Sequence, residues 1–143
     1  MRAKLRLGET VETIMSRPPI VIGASASVQE AARLMAVNRV GSVMVVDDEG
    51  RLVGIVTERD IVRLVAFSGA DLSRDYPIAR VMSSDPVTLG PRENLLDALA
   101  KMCENNVRHL PVVDEKGKPI GMVSNRDIID ALIESLLAVR RSR

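Results

Sequence analysis

Apolar residues recur along this chain with two periods, and the change from one to the other marks its elements. Val28, Ala31, Ala32 and Met35 fall at i, i+3, i+4 and i+7, and Leu95, Ala98, Leu99 and Met102 repeat that spacing. One apolar face per three to four residues predicts an amphipathic helix at each place. Ser27 with Glu30, and Asn94 with Asp97, stand three apart where these runs begin, as N-terminal caps do. Asn38 and Asn105 stand where the runs stop and are expected to turn left-handed. Further helices are predicted over about 58–67 and about 125–139.

Short apolar runs fill the spaces. Ile20-Val21-Ile22 and Val87-Thr88-Leu89 follow a Pro and are predicted as strands. Val43-Met44-Val45-Val46 and Leu52-Val53-Gly54-Ile55-Val56 flank the polar turn Asp47-Asp48-Glu49-Gly50. Leu110-Pro111-Val112-Val113 and Ile120-Gly121-Met122-Val123 flank Asp114-Glu115-Lys116-Gly117. Both sets read as β-hairpins.

The two sets are copies. Residues 15–61 align with 82–128 without a gap, and 17 of the 47 positions are identical, which chance does not produce. Each copy reads β-α-β-β-α, an α/β (α+β) unit. A unit of this size has one small sheet and two amphipathic helices, and is marginal alone. The expected solution is two tandem repeats packed face to face through their small sheets. The repeats run over 8–67 and 78–137. The linker is 68–77, rich in Gly, Ser, Asp and Pro.

Composition narrows the function. Charged residues make up 27% and hydrophobic ones 46%, a globular balance. With one Phe, one Tyr and no Trp, the chain has no stacking platform for single-stranded nucleic acid. A net charge of +1 favours neither DNA nor an anionic membrane. No apolar run approaches the length of a membrane span, and no signal peptide opens the chain, so a cytoplasmic protein is expected. One Cys and one His exclude a structural zinc site. Cys103, one past Met102, reads as a small core residue. No nucleophile–base set and no P-loop is present.

GIVTERDI (54–61) and GMVSNRDI (121–128) close the two copies. Each ends a strand in Gly-x-x-Thr/Ser and sets an Asp three residues after the hydroxyl. Two readings stand. Thr-x-x-Asp is close to a capping box, which needs no ligand. A capped helix start is also an anion site, with free amides and about half a positive charge from the helix dipole. Arg59 and Arg126 could add forked donors, and Asp60 and Asp127 could accept from a sugar diol.

In order, and twice, three features resemble the CBS domain pair, or Bateman module. They are the opening phrases MSRPPIVIG and MSSDPVTLG, the strands GSVMVVD and RHLPVVD, and these closing motifs. The resemblance covers about residues 8–137. It implies a stand-alone, non-enzymatic sensor of energy or metabolite state. It implies that clefts between the repeats take an adenosine-containing ligand: AMP first, also ADP, ATP or S-adenosylmethionine. No resident cofactor is required. By position, Asp60 and Asp127 would accept from ribose hydroxyls, and Thr57 and Ser124 would touch ribose or phosphate. Backbone around Ile20-Val21 and Val43-Met44, and around Val87-Thr88 and Leu110-Pro111, would hold the adenine.

The copies are unequal. The first has Gly41-Ser42 where the second has Arg108-His109. Charge at Arg108 and a titratable imidazole at His109 favour phosphate. The second site, with Arg108, Ser124 and Asp127, is therefore expected to be the tighter. Occupancy would pass to a partner protein. The apolar face of the last helix, with Ile129, Leu132, Ile133, Leu136 and Leu137, suggests a homodimer. The alternative is a ligand-free or nucleic-acid-associated adaptor, using the basic clusters Arg2, Lys4, Arg6 and Arg140, Arg141, Arg143.

Overall fold

The β-branched runs pair into two sheets, each covered by helices. A computed structural model describes residues 8–67, 69, 72 and 74–141. Arg2, Lys4, Arg6 and Arg143, and linker positions 68, 70, 71 and 73, lie outside the described residues.

The chain divides into two compact units. One consists of Pro19–Pro86 with Lys116–Pro119 and carries the first repeat. The other joins the segment ending at Pro18 to Val87–Glu115 and the chain from Ile120 onward, and carries the second repeat.

In the first-repeat unit, β1 (Val21–Gly23) runs parallel to β2 (Ser42–Val46). β3 (Leu52–Thr57) returns antiparallel, and β4 (Ser83–Ser84) adds an edge. The helices are α1 (Val28–Asn38) and α2 (Glu58–Phe67). Ala31, Met35, Val43, Val45, Val56 and Ile78 form the buried cluster. In the turn between β2 and β3, Asp47 accepts the amides of Arg51 and Glu49, each at 2.9 Å. The Arg51 amide above all, with that of Glu49 and the Arg51 charge, holds the Asp47 carboxyl below the usual carboxylate range.

The second-repeat unit has α3 (Leu95–Asn105), β5 (His109–Val113), β6 (Pro119–Ser124) and α4 (Asn125–Arg141). Val11, Leu89, Leu95, Ala98, Met102, Leu110, Val112, Val123, Ile128 and Ala131 form its core.

The helix starts follow the sequence expectation. Ser27 Oγ accepts the Glu30 amide, and Asn94 with Asp97 completes a reciprocal capping box. The helix ends differ by one residue. Arg39 (φ 54°) and Asn106 (φ 52°) take the left-handed conformation, not Asn38 and Asn105. Those two stay helical, and their side-chain amides donate 2.8 Å bonds to the Leu34 and Lys101 carbonyls one turn back. Cys103 is exposed, not a core residue. The flank beside the Met102 stripe faces solvent.

The strand predicted at Val87–Leu89 does not form beyond one parallel bridge, Leu89 to Val112. Two prolines account for this: Pro91 stands at the place of Ala24 and has no N–H to match the Ala24-to-Val46 bond, and Pro111 removes a second rung. In the first repeat the Met44 amide donates to the Ile20 carbonyl at 3.1 Å. Pro111 stands at the matching place and has no N–H, so that rung is missing.

Each unit is completed by the segment that precedes the other repeat in sequence. Val11, in a 3₁₀ turn over Val11–Thr13, is fully buried in the second-repeat core. Ile78, in the matching turn Ile78–Arg80, is fully buried in the first. After these turns, Met15 and Ser16 lie on Gly121, and Met82 and Ser83 lie on Gly54. A Cβ at Gly54 would meet Met82 Sδ at 2.5 Å and the Ser83 carbonyl at 3.2 Å; at Gly121 it would meet Met15 Sδ at 2.6 Å and the Ser16 carbonyl at 3.0 Å. Sulfur can move, but the backbone carbonyl cannot move cheaply. Gly54→Ala and Gly121→Ala should each destabilise by about 1–3 kcal/mol in urea unfolding. Gly23→Ala, with nothing within 4 Å of its Cβ, should not.

Candidate functional site

Each repeat's expected site residues fall within one unit. In the first-repeat unit, β2 is central. Val21 is the register partner of Met44, and Ser42 that of Thr57. Ile20 packs half-buried against the core and Val21 is exposed. Val43, Met44 and Ser42 are buried, so the side chains of Val43 and Met44 point away from solvent. The main chain there is covered too, since the whole residues expose only 0–5% of their surface.

The closing motif builds a capping box. The Thr57 amide donates to Asp60 Oδ2 at 2.8 Å, and Thr57 Oγ1 accepts the Asp60 amide at 3.3 Å. The Thr57 hydroxyl also donates to Asp60 Oδ2 at 3.1 Å. The Glu58 amide donates to the Gly41 carbonyl at 3.0 Å. Two of the first three helical amides are thus consumed, and that of Arg59 has no acceptor among the described residues. The sequence expectation of several free amides reduces to one. Asp60 Oδ1 likewise accepts nothing from the described residues.

The second-repeat unit repeats the device with different details. The Ser124 amide donates to Asp127 Oδ2 at 2.8 Å, and Ser124 Oγ accepts the Asp127 amide at 3.1 Å. The Asn125 amide donates to the Arg108 carbonyl at 2.9 Å. Again the second helical amide, of Arg126, and the outer carboxylate oxygen are left over. Unlike Thr57, Ser124 does not turn its hydroxyl proton onto the neighbouring Asp. His109 opens β5 half-buried; Arg108 and Arg126 are exposed. Leu110 and Pro111 are buried, while Val87 and Thr88 are half-buried.

The Val87 carbonyl receives no described donor, because Pro111 cannot supply one. The Thr88 carbonyl is taken by Lys101 Nζ at 2.9 Å, and Lys101 pairs with Glu93 at 2.9 Å. Sequence reading did not single out Lys101 or Glu93. Glu93 lies ahead of α3 and eight residues from Lys101, beyond the three- and four-residue spacings at which helix side chains touch, so only the fold brings them together.

Each half-site therefore offers a carboxylate oxygen, a helix-start amide and an exposed arginine. That set suits a polyhydroxylated, anionic molecule. Among the described residues, no group of three or more His, Cys, Asp or Glu is placed to hold a metal ion, and no helix is long and apolar enough to cross a membrane.

The family model for the CBS domain matches residues 11–66 and 78–134. A 17.7 kDa protein of Acidianus ambivalens is 37% identical over 124 residues, spanning 87% of this chain and 73% of that protein. Some relatives are much longer: the chain spans 22% of the L-aspartate semialdehyde sulfurtransferase of Methanocaldococcus jannaschii, at 30% identity. Among solved structures, a CBS domain protein from Pyrobaculum aerophilum complexed with AMP superposes with a TM-score of 0.79 at 32% identity, covering 90% of this chain and 98% of that one. The CBS domain pair of protein MJ0100, in complex with 5′-methylthioadenosine and S-adenosyl-L-methionine, gives 0.78 at 30% identity, covering 85% and 93%.

The cap itself has a ligand-independent worth. Ser124→Ala should lower stability by about 0.5–2 kcal/mol, and Ser124→Gly by only a few tenths, in unliganded protein. Urea unfolding of both variants checks it.

Proposed function

The chain belongs to the CBS domain family, and from that premise we propose that it is a non-enzymatic regulatory module that binds an adenosine-containing ligand. AMP is the first candidate, with ADP, ATP and S-adenosylmethionine behind it. The observation that carries this reading is the twice-built cap that keeps one carboxylate oxygen and one amide uncommitted at Asp60/Arg59 and at Asp127/Arg126. Similar chains with AMP, or with 5′-methylthioadenosine and S-adenosyl-L-methionine, support the ligand class.

In this reading Asp60 and Asp127 accept from the ribose diol. Thr57 and Ser124 touch ribose or phosphate, aided by Arg59 and Arg126. Backbone at Ile20-Val21 and Ser42-Val43-Met44, and at Val87-Thr88 and Leu110-Pro111, takes the base. The second half-site is the stronger. Arg108 and His109 replace Gly41 and Ser42, the Ser124 hydroxyl can donate outward, and the Val87 carbonyl is open to an amino group.

A ligand with unequal affinity for two states of the module shifts their populations, and no bond need be made or broken. A partner chain reads the shift. The protein acts in the cytoplasm as a homodimer through α4, where Ile129, Ile133, Leu136 and Leu137 are each 43–56% exposed.

Two measurements test the reading. In a thermal-shift panel, the right adenosine ligand at 100 times its Kd should stabilise by about 2.7 kcal/mol, with GMP as the control. No shift with any adenosine ligand would leave a ligand-free scaffold. In calorimetric titration of AMP, Asp127→Ala should lose more affinity than Asp60→Ala; equal losses would remove the claimed asymmetry.

A further inference from the structure

The segment carrying Val87 and Thr88 keeps only part of the strand ladder that holds its counterpart. In the first-repeat unit, residues 20–24 are fixed by three register pairs with β2 and by the Met44-to-Ile20 and Ala24-to-Val46 bonds. In the second-repeat unit two backbone bonds remain, Leu89 N–H to the Pro111 carbonyl at 2.8 Å and Val113 N–H to the Leu89 carbonyl at 2.9 Å. Side chains supply the rest. Lys101 Nζ, reaching from α3, donates to the Thr88 carbonyl at 2.9 Å. Glu93 holds that ammonium at 2.9 and 3.2 Å, and its Oε2 accepts the Gly90 amide at 2.7 Å. Both side chains are about one-third exposed. At the matching places the first repeat has Leu34 and Ala26, which cannot make any of these bonds.

We infer that Lys101 and Glu93 are positioning residues for the second half-site. They hold the Val87–Thr88 backbone in the conformation that receives the base, a task the ladder performs in the first repeat. The inference rests on the nucleotide reading above, and it deepens that reading by assigning the second site's geometry to an ion pair outside the motif. Lys101 acts through the Thr88 carbonyl. It does not act as a phosphate contact, because its ammonium is already shared between Thr88 and Glu93.

The full chain is compared as wild type, Lys101→Met, Glu93→Gln and Lys101→Arg. Lys101→Met keeps the length of the apolar stem and removes the donors. Adenosine and AMP are titrated, and amide hydrogen exchange is followed. Loss of one charge-assisted bond should weaken adenosine and AMP alike, by about three- to tenfold. Exchange at Leu89, Gly90 and Val113 should quicken while Ile22 and Gly23 stay unchanged. Glu93→Gln should fall between, and Lys101→Arg should retain most of the affinity and the slow exchange. Unchanged affinity and exchange in Lys101→Met would overturn the inference. So would a loss confined to AMP, which would make Lys101 a direct phosphate contact. Wild-type protein that binds neither probe, while Lys101→Met still quickens exchange at Leu89, would overturn the nucleotide reading and leave the staple itself standing.

Discussion

The approach of a Met-Ser segment onto a glycine is the constraint on which the rest of each unit depends. Ser83 and Ser84 pair with the strand that contains Gly54, and Ser16 bridges to Met122 beside Gly121. The strand can be approached this closely only where it lacks a Cβ. The same strand then runs three residues on into Thr57 or Ser124 and starts a helix. Close approach, strand end and cap are therefore one continuous piece of geometry. The conserved spelling of the two copies, Gly-x-x-Thr/Ser-x-x-Asp, is a record of it. The docked segment comes each time from ahead of the other repeat, so a cut between the sequence repeats would strip both units of a fully buried residue, Val11 or Ile78. Burial of one such side chain is worth about 1.5–3 kcal/mol.

The cap explains why one motif serves stability and recognition together. A helix start has orphan amides that must find acceptors. Here a neighbouring carbonyl takes the first and the Thr or Ser hydroxyl takes the third. The Asp pays back the strand-end amide with one of its two oxygens. What remains is small and well fixed: one amide, one carboxylate oxygen and an exposed arginine. A group held at both ends by its own cap needs little reordering when a ligand arrives, so less binding free energy is lost to ordering.

Much of the fold was legible because it rests on local rules. The helices at 28–38, 95–105 and 58–67 follow apolar spacing and caps, and the hairpins follow their polar turns. Most of the misses were decided by partners distant in sequence. The turns at Val11–Thr13 and Ile78–Arg80 keep only an apolar pattern, so the duplication was not traced back into them. Val87–Leu89 has strand composition, but a strand needs a donor from its neighbour, and Pro111 has none. Asn38 and Asn105 end their helices one residue earlier than the left-handed turn, a shift too small for local patterning to resolve. At the candidate site, the motif announced where a cap and a carboxylate would sit. It did not say which atoms the cap would use, and the Lys101–Glu93 pair left no trace in local spacing.

Duplication gives two copies the same task, and single substitutions then separate them. Pro111 and Pro91 each remove one amide, and two consequences follow. The Val87 carbonyl is left open to a ligand donor, and the segment bearing it loses part of the ladder that would keep it in place. An opened acceptor on a loosened segment would gain little, since ordering it would cost what the new bond returns. Lys101 and Glu93 restore order without closing the acceptor, because they bond to Thr88 and Gly90 and leave Val87 alone. The second repeat has thereby exchanged part of a backbone ladder for a side-chain staple, and a closed strand edge for an open one.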